Sequence, residues 1–260
     1  MCISGEWKNI FNALMSDTSA NNKRIAKNTV LLYIRMLLST VVSLYTSRVV
    51  LQTLGVDDYG IYGVVGGVVA MFSFLNASMS GATSRFITFA LGKEEKEEVS
   101  KTFSTAMIIH LGIALAIIIL SETVGLWFLE NKLVIPDDRI GAARIVYQLS
   151  VFAMAVQVTQ VPYNASIISY EKMDVYAFVG VLEVVLNLLF VFCLKVVPQI
   201  DKLIAYAVLM LLIQFLVNST YVLYSLKNFK SSRITWYWEP KLAKEIALFS
   251  GWNFFGAVSS

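Results

Sequence analysis

The sequence predicts an all-α membrane protein: a polytopic bundle of six transmembrane helices followed by the start of a seventh. A membrane-spanning helix needs about 20 mostly apolar residues, and six stretches of the 260-residue chain meet that requirement. Hydrophobic residues make up 57% of the chain and charged residues 15%, whereas soluble domains carry about 25% charged residues. The mean hydropathy of +0.66 agrees with this pattern. The predicted spans are 28–51, 60–90, 103–129, 145–168, 175–197 and 203–226.

The chain divides into three parts on this pattern. Residues 1–27 form a cytoplasmic N-terminal segment, 28–226 form the six-helix bundle, and 227–260 form a loop and the start of the seventh helix. The last apolar segment begins near Leu242, and the chain ends inside it. We therefore expect a longer protein, of which this chain is the first part.

Basic residues predict the orientation of the bundle, because short loops rich in Lys and Arg stay in the cytoplasm. Of the 21 Lys and Arg residues, 14 lie in the N-terminal segment or around the turns after the even-numbered spans. Six lie on the opposite side, and Arg35 lies within the first span. We therefore expect a cytoplasmic N-terminus. The net charge of +3 is too small to indicate a nucleic-acid partner.

Polar side chains repeat at helical spacing in five of the six predicted spans. Residues three or four positions apart share one face of a helix, and lipid cannot satisfy polar groups. These faces predict a bundle around a hydrated cleft. The third span is apolar between His110 and Ser121, so we expect it to lie nearer the lipid. The polar positions are Arg35, Ser39, Ser43 and Thr46; Ser73, Asn76, Ser80 and Ser84; Gln157, Gln160 and Asn164; Glu183 and Asn187; and Gln214, Asn218, Tyr221 and Ser225.

A second interpretation is that these side chains only join the helices, since Ser, Asn and Gln hydrogen-bond across helix contacts. This explains most of the Ser and Gln residues, but it explains Arg35 and Glu183 poorly. A charge near the middle of a membrane costs at least about 2.5–3.5 kcal/mol and usually faces a bundle interior or a wet cavity. Glu183 can pair with Arg35 or can be protonated, and the sequence leaves both open.

The sequence does not indicate an enzyme. Its one histidine, His110, lies in an apolar span, and there is no His/Cys cluster with metal-site spacing and no GxxxxGK[ST] phosphate loop. The acidic pairs Asp57–Asp58 and Asp137–Asp138 are interpreted as turn residues rather than as metal ligands. We therefore predict no catalytic residues, no metal and no cofactor.

Three segments carry a family resemblance: SRVVLQTLGVDDYGIYGVVGGVV (47–69), SGATSRFITFALGKEEKEEVSKTFSTA (80–106) and QVPYNASIISYEKMDVYAFVGVLEVVLNL (160–188). Together they resemble the bacterial polysaccharide transporters, the flippases of lipid-linked oligosaccharides such as O-antigen and capsule repeat units. The same superfamily includes the multidrug and toxin exporters. The resemblance covers about residues 25–260. Its most specific part is LGxxxYGxYxVV, with Leu54, Gly55, Tyr59, Gly60, Tyr62, Val64 and Val65 at the matching positions.

The resemblance implies two bundles of six helices around a central cavity, alternating between inward-open and outward-open states. This chain departs from that pattern in length, because family members usually have 12 or 14 spans. It resembles the N-terminal bundle of a MATE-like transporter plus the entry to the second bundle.

The resemblance also implies a substrate, an undecaprenyl-pyrophosphate-linked oligosaccharide that crosses the bacterial inner membrane. Arginine suits pyrophosphate because its planar fork donates paired hydrogen bonds. Arg48 and Arg85 are also explained as anchors that snorkel to the membrane interface. The substrate-binding candidates are Arg35, Arg48 and Arg85 for the pyrophosphate, and Asn76, Asn187 and Gln214 along the sugar path.

A proton or sodium gradient would have to drive net pumping, and Glu183 is the candidate for coupling. The implied partners are the lipid-linked oligosaccharide, membrane lipid, a polysaccharide polymerase and a chain-length regulator. Two other functions stay open. One is a multidrug or cation exporter of the same fold, whose cavity should be acidic, and the other is a non-transporting scaffold or truncated remnant.

Overall fold

The structure, a computed structural model, describes residues 3–71, 73–93, 95–196 and 201–258. Side chains are described within these ranges except at 3–21, 23–25, 73–78, 96, 196 and 253–258. A π-helical turn, Ser121–Gly125, joins α4 to α5, and a 3-10 turn, Lys230–Ser232, follows α8. The α-helices are α1 (Ile3–Leu54), α2 (Val56–Ala70), α3 (Ser73–Gly92), α4 (Lys96–Leu120), α5 (Leu126–Lys132), α6 (Ile140–Ser169), α7 (Met173–Val196), α8 (Lys202–Asn228) and α9 (Pro240–Val258).

The all-α membrane bundle predicted from the sequence is confirmed. Five helical stretches of the described chain are long and apolar enough to cross a membrane, and they correspond to predicted spans one, three, four, five and six. They are Ala26–Leu54, Glu97–Lys132, Ile140–Ser169, Met173–Lys195 and Lys202–Asn228.

The predicted span 60–90 contains two helices in the described part of the chain. Helix α2 ends at Ala70 and α3 begins at Ser73. With 15 residues, α2 is about 23 Å long, which is too short for a hydrocarbon core of about 30 Å. Three glycines in the GVVGG segment just before the break lower its helix propensity. The pair α2–α3 therefore takes the place of the second span.

The third span was expected to lie nearer the lipid, but it is the most buried of the five stretches. In its most apolar window 44% of the residues are buried, the highest share among the five stretches, against 6% for Ala26–Leu54. The reason is that α4 packs against α3, α6 and α9. A helix that is apolar on all sides is suited to a protein interior as well as to lipid, so the lack of polar residues did not identify its surroundings.

Helix α6 is the centre of the bundle and packs against α8, α4, α3 and α2. Pro162 lies inside α6 without ending it, although proline removes one backbone donor from the helix. At the other end of α6, the buried Tyr147 donates a hydrogen bond to the carbonyl of Ser121, at 2.8 Å, in the π-helical turn. This bond joins α6 to the long helical stretch that contains α4 and α5.

Helix α1 packs mainly against α7 and makes smaller contacts with α2 and α8. It has 52 residues, which is about 78 Å, so it extends well beyond any bilayer. Since α1 begins at Ile3, it runs without a break across the predicted boundary at residue 27. Helix α9 begins at Pro240, close to the predicted start of the seventh helix. The three-part division of the chain stays a prediction.

Gly55 joins α1 to α2 through a single residue. Its φ of +83° lies in the left-handed region, which glycine adopts without the steric cost of a Cβ atom. Its backbone N–H donates to the Leu51 carbonyl at 3.0 Å, and its carbonyl accepts from the Tyr59 N–H at 3.2 Å. The first glycine of the LGxxxYGxYxVV motif, Gly55, is therefore required by the turn between these two helices.

Candidate functional site

A cleft of about 610 Å³ lies between α1 and α7 and extends to α2 and α8. One wall is the polar face of α1 that the sequence predicted, and α7 supplies Glu183 and Asn187 from the facing wall. The cleft therefore brings together three of the seven predicted site residues: Arg35, Asn187 and Glu183. Its other polar lining residues are Ser39, Ser43, Thr46, Ser47, Tyr59, Tyr62 and Tyr206.

Arg35 lies flat against α7 in this cleft. Its guanidinium carbon is 4.0 Å from the centre of the Tyr176 ring, in a cation–π arrangement. One turn further along α7, a Cβ atom added at Gly180 would be only 1.9 Å from Arg35 Nε. The missing side chain of Gly180 therefore makes the space that Arg35 occupies. Sequence reasoning overlooked both α7 residues, although Gly180 precedes Glu183 by one helical turn.

Arg35 and Glu183 face the same cleft without forming an ion pair. In the described part of the chain, the ion pairs within 4.0 Å involve other residues. The two side chains are still close enough to attract each other electrostatically. Asn187 donates its Nδ2 hydrogen bond to the Glu183 backbone carbonyl at 3.1 Å, which leaves its side-chain oxygen available to the cleft. The guanidinium can thus offer N–H donors to an anion in the cleft.

Aromatic side chains form the opposite end of the cleft. The rings of Tyr62 and Tyr206 meet edge to face, with 4.7 Å between their centres, and Tyr59 lies beside them. Tyrosine combines an apolar ring with a polar hydroxyl, so this end can contact both the faces and the hydroxyls of a sugar. Two of these residues belong to the motif LGxxxYGxYxVV. Tyr206 had no such signal in the sequence.

Gln214 lies outside the cleft, in an adjoining pocket of about 260 Å³. Its Nε2 donates a hydrogen bond to Gln160 Oε1 at 3.0 Å, which joins α8 to α6. This contact matches the interpretation of Gln side chains as links between helices. Tyr62 and Met210 line both cavities, so they separate Gln214 from the cleft.

The other three candidate positions are not brought to the cleft. Arg48 is exposed on α1 and is not part of the cleft lining. Arg85 lies in a groove between α3 and α9, where its guanidinium carbon is 4.4 Å from the centre of the Phe249 ring. Asn76 falls in the part of α3 whose side chains are outside the described residues.

An ion-pair cluster joins the N-terminal ends of three helices at one end of the bundle. Arg139, which precedes α6, donates from Nε to Asp58 Oδ1 at 2.8 Å and also contacts Asp58 Oδ2. It donates from Nη1 to Asp201 Oδ2 at 2.8 Å. The other oxygen of Asp201 caps α8 by accepting from the N–H of Leu203 at 3.0 Å. Hydrogen bonding to the Asp58 carboxylate raises the pKa of Arg139.

The role of Asp58 was not foreseen from the sequence, which indicated only turn residues at Asp57–Asp58. Both residues belong to the first turn of α2, where negative charge is favourable. Among the described residues, no group of three or more His, Cys, Asp and Glu side chains is arranged to hold a metal ion.

Comparison with known proteins gives one family and a set of similar structures. The sequence matches the MatE family over residues 32–193, which is more than half of the chain. The matched region contains Arg35, Gly180, Glu183 and Asn187, whereas Tyr206 lies beyond it. No curated protein matches the sequence.

Two solved structures have a similar fold. The outward-facing conformation of a multidrug resistance MATE family transporter of the MOP superfamily superposes with a TM-score of 0.68 at 17% identity, over 90% of this chain and 52% of that chain. A crystal structure of MATE in the bent conformation superposes with a TM-score of 0.70 at 18% identity, over 92% of this chain and 53% of that one. The chain thus spans about half the length of the structures that it matches.

Proposed function

This chain belongs to the MatE family of membrane transporters, and we propose that it takes part in flipping undecaprenyl-pyrophosphate-linked oligosaccharide units across the bacterial inner membrane by alternating access. The units would serve the synthesis of a surface polysaccharide such as O-antigen or capsule. Members of the family are transporters and not enzymes, in keeping with the prediction from the sequence. In this proposal the N-terminus is cytoplasmic.

The observation that carries this proposal is the position of Arg35. Its guanidinium is held against α7 by Tyr176 and Gly180, and it faces the cleft without a carboxylate partner within 4.0 Å among the described residues. Guanidinium binds phosphate oxygens through paired N–H donors, and such charge-assisted hydrogen bonds are about twice as strong as neutral ones. The anionic pyrophosphate would bind at this end of the cleft.

The rest of the cleft suits the sugars of the same substrate. From Arg35, a line of hydroxyls at Ser39, Ser43 and Thr46 leads along α1 toward the tyrosine end. The Ser39 and Ser43 hydroxyls line the cleft and can pair with sugar hydroxyls. Asn187 offers an amide oxygen from α7. A polar cleft with an aromatic end and a cationic end is suited to a sugar chain on a pyrophosphate.

Glu183 supports a role in energy coupling and also a second candidate function. As a carboxyl group near Arg35, it can exchange a proton or bind sodium, so an ion gradient could change the charge balance of the cleft. The same carboxyl group suits an exporter of cationic drugs. A multidrug transporter of the MATE family is among the structures with a similar fold, which makes this the alternative to test.

The test is to express the complete reading frame that contains this chain in a flippase-deficient strain and to quantify its surface polysaccharide. We expect Arg35→Gln to reduce the polysaccharide at least about tenfold, because it removes a charge-assisted contact. Arg35→Lys should retain part of the activity, and Arg233→Gln, an exposed position outside the cleft, should retain all of it.

Drug susceptibility of the same strains distinguishes the alternative. An exporter would protect cells from cationic drugs, would lose that protection with Glu183→Gln and would leave surface polysaccharide absent. Normal polysaccharide in the Arg35→Gln strain would overturn the proposed role of Arg35. A polysaccharide polymerase and a chain-length regulator are the proteins that we propose to act with the flippase.

A further inference from the structure

A groove of about 790 Å³ between α3 and α9 contains two opposite charges among aromatic rings. The charges are Arg85 on α3 and Glu245 on α9, and the rings are Phe86, Phe89 and Phe249. The groove shares no lining residue with the cleft between α1 and α7. It is therefore a separate site, on the side of the bundle where α9 packs against α3.

The two charged groups of this groove are not paired with each other. In the described part of the chain, neither Arg85 nor Glu245 takes part in an ion pair within 4.0 Å. Arg85 lies over the Phe249 ring, with its guanidinium carbon 4.4 Å from the ring centre, and its N–H groups can donate to a ligand in the groove. The groove thus offers a cationic donor group and, at a separate point, an anionic acceptor.

The wall between and beside the charges is apolar. Phe86 and Phe249 meet edge to face with 6.2 Å between ring centres, and 66% of the surface of Phe89 is exposed. An exposed groove with rings of this kind is suited to hydrocarbon. The acyl chain of a lipid would bury these three rings and be buried by them.

The two charges lie near the same end of the helix pair α3–α9. Arg85 lies seven residues before the end of α3 at Gly92, which is about 10 Å along the helix. Glu245 lies five residues after the start of α9 at Pro240, about 8 Å along that helix. These ends of α3 and α9 lie together, since Lys93 after α3 interacts electrostatically with Glu239 before α9, so both charges are one to two turns from the same end of the helix pair.

We propose that this groove binds a zwitterionic glycerophospholipid with a primary ammonium group, of the phosphatidylethanolamine type. The phosphate would accept hydrogen bonds from Arg85, the ammonium would donate to Glu245, and an acyl chain would lie along Phe86, Phe89 and Phe249. An anionic lipid would satisfy Arg85 but would be repelled by Glu245. Phosphatidylcholine has no N–H groups, so it cannot donate a hydrogen bond to the carboxylate. This inference does not depend on what the cleft transports.

The test is native mass spectrometry of the purified chain in detergent, with added phosphatidylethanolamine, phosphatidylcholine or phosphatidylglycerol of identical acyl chains. We expect phosphatidylethanolamine to bind about tenfold more tightly than either of the others, since each lacks or opposes one charged contact. Arg85→Gln and Glu245→Gln should each remove this preference. Lys244→Gln is the matched control, because Lys244 is exposed beside Glu245 on α9 and does not line the groove.

Circular dichroism of each variant checks that the helices are retained, and Arg85→Lys, which keeps the charge, provides a second test if Arg85→Gln does not fold. We expect Arg85→Lys to keep the preference for phosphatidylethanolamine in weaker form. Equal binding of all three lipids would overturn the proposal. So would a preference for phosphatidylglycerol, or a preference for phosphatidylethanolamine that Glu245→Gln leaves unchanged.

Discussion

Replacing Gly180 with alanine tests the contact that holds Arg35 in the cleft. The added methyl carbon would lie 1.9 Å from Arg35 Nε, 2.6 Å from its Cζ and 2.8 Å from its Cδ. Carbon atoms at van der Waals contact are about 3.5–4.0 Å apart, so the arginine side chain must move. We expect it to leave the face of Tyr176, because the methyl group takes the space between Arg35 and α7.

The magnitude follows from two opposing terms. Alanine in place of glycine within a helix stabilises it by about 1 kcal/mol, whereas an extra carbon in a packed site typically costs about 1–3 kcal/mol. Gly180→Ala should therefore lower the free energy of unfolding by up to about 2 kcal/mol in the parent protein. In an Arg35→Ala background the clashing atoms are gone, so the same change should raise the free energy of unfolding by about 1 kcal/mol.

The assay is equilibrium unfolding of the four proteins of this double-mutant cycle in mixed micelles, followed by circular dichroism. We expect a coupling energy of about 1–3 kcal/mol between the two positions. Gly112→Ala serves as the control, because a Cβ atom at Gly112 meets no atom within 4 Å. Its effect should be the same in both backgrounds.

The opposite result would be that Gly180→Ala changes the free energy of unfolding by the same amount, within about 0.5 kcal/mol, with and without the Arg35 side chain. Arg35 would then not lie against α7 at this point. The cleft would have no preformed cationic group, and the proposed pyrophosphate site would lose its support.

Three further substitutions test a turn, an ion pair and a packing contact outside the cleft. The unfolding temperature in detergent is measured for each of them. Gly55→Ala should lower it, because an L residue at φ +83° costs roughly 1–2 kcal/mol; an unchanged value would contradict that turn geometry. Arg139→Gln should lower the free energy of unfolding by about 1–3 kcal/mol, and with it the unfolding temperature, because it leaves Asp58 without its cation. Arg139→Lys should lower both by less. Gly125→Ala brings a methyl carbon 2.0 Å from the Tyr147 hydroxyl oxygen, so adding Tyr147→Phe should partly restore stability, and the absence of such rescue would count against this contact.

Periodicity alone identified the parts of the site that lie on single helices. Arg35, Ser39 and Ser43 share a face because residues four positions apart always do so in a helix, and Glu183 and Asn187 share a face for the same reason. These residues do line one cleft. A regular helix has this geometry in any surroundings, so a local pattern was sufficient.

The sequence was less informative wherever an outcome depended on which helices meet. Arg85 was expected at the pyrophosphate and Gln214 along the sugar path, but Gln214 pairs with Gln160 on α6 and Arg85 lies over Phe249 of α9. The third span was expected nearer the lipid because it lacks polar residues, but it is the most buried of the five stretches. Polar and apolar patterns indicate what kind of surface a residue needs, and several helices can supply that surface.

The sequence by itself determined that this is a multi-pass, all-α membrane protein and that Arg35 and Glu183 need a polar setting. Hydrophobic length and the cost of charges in lipid are properties of each segment, and they hold before any segments have packed. Only the tertiary structure decided that Arg35 lies in the space left by Gly180, that Tyr206 closes the far end of the cleft, and that α2 and α3 replace one span. These features depend on contacts between residues far apart in the chain, and close packing selects one such set of contacts among many that the local patterns allow.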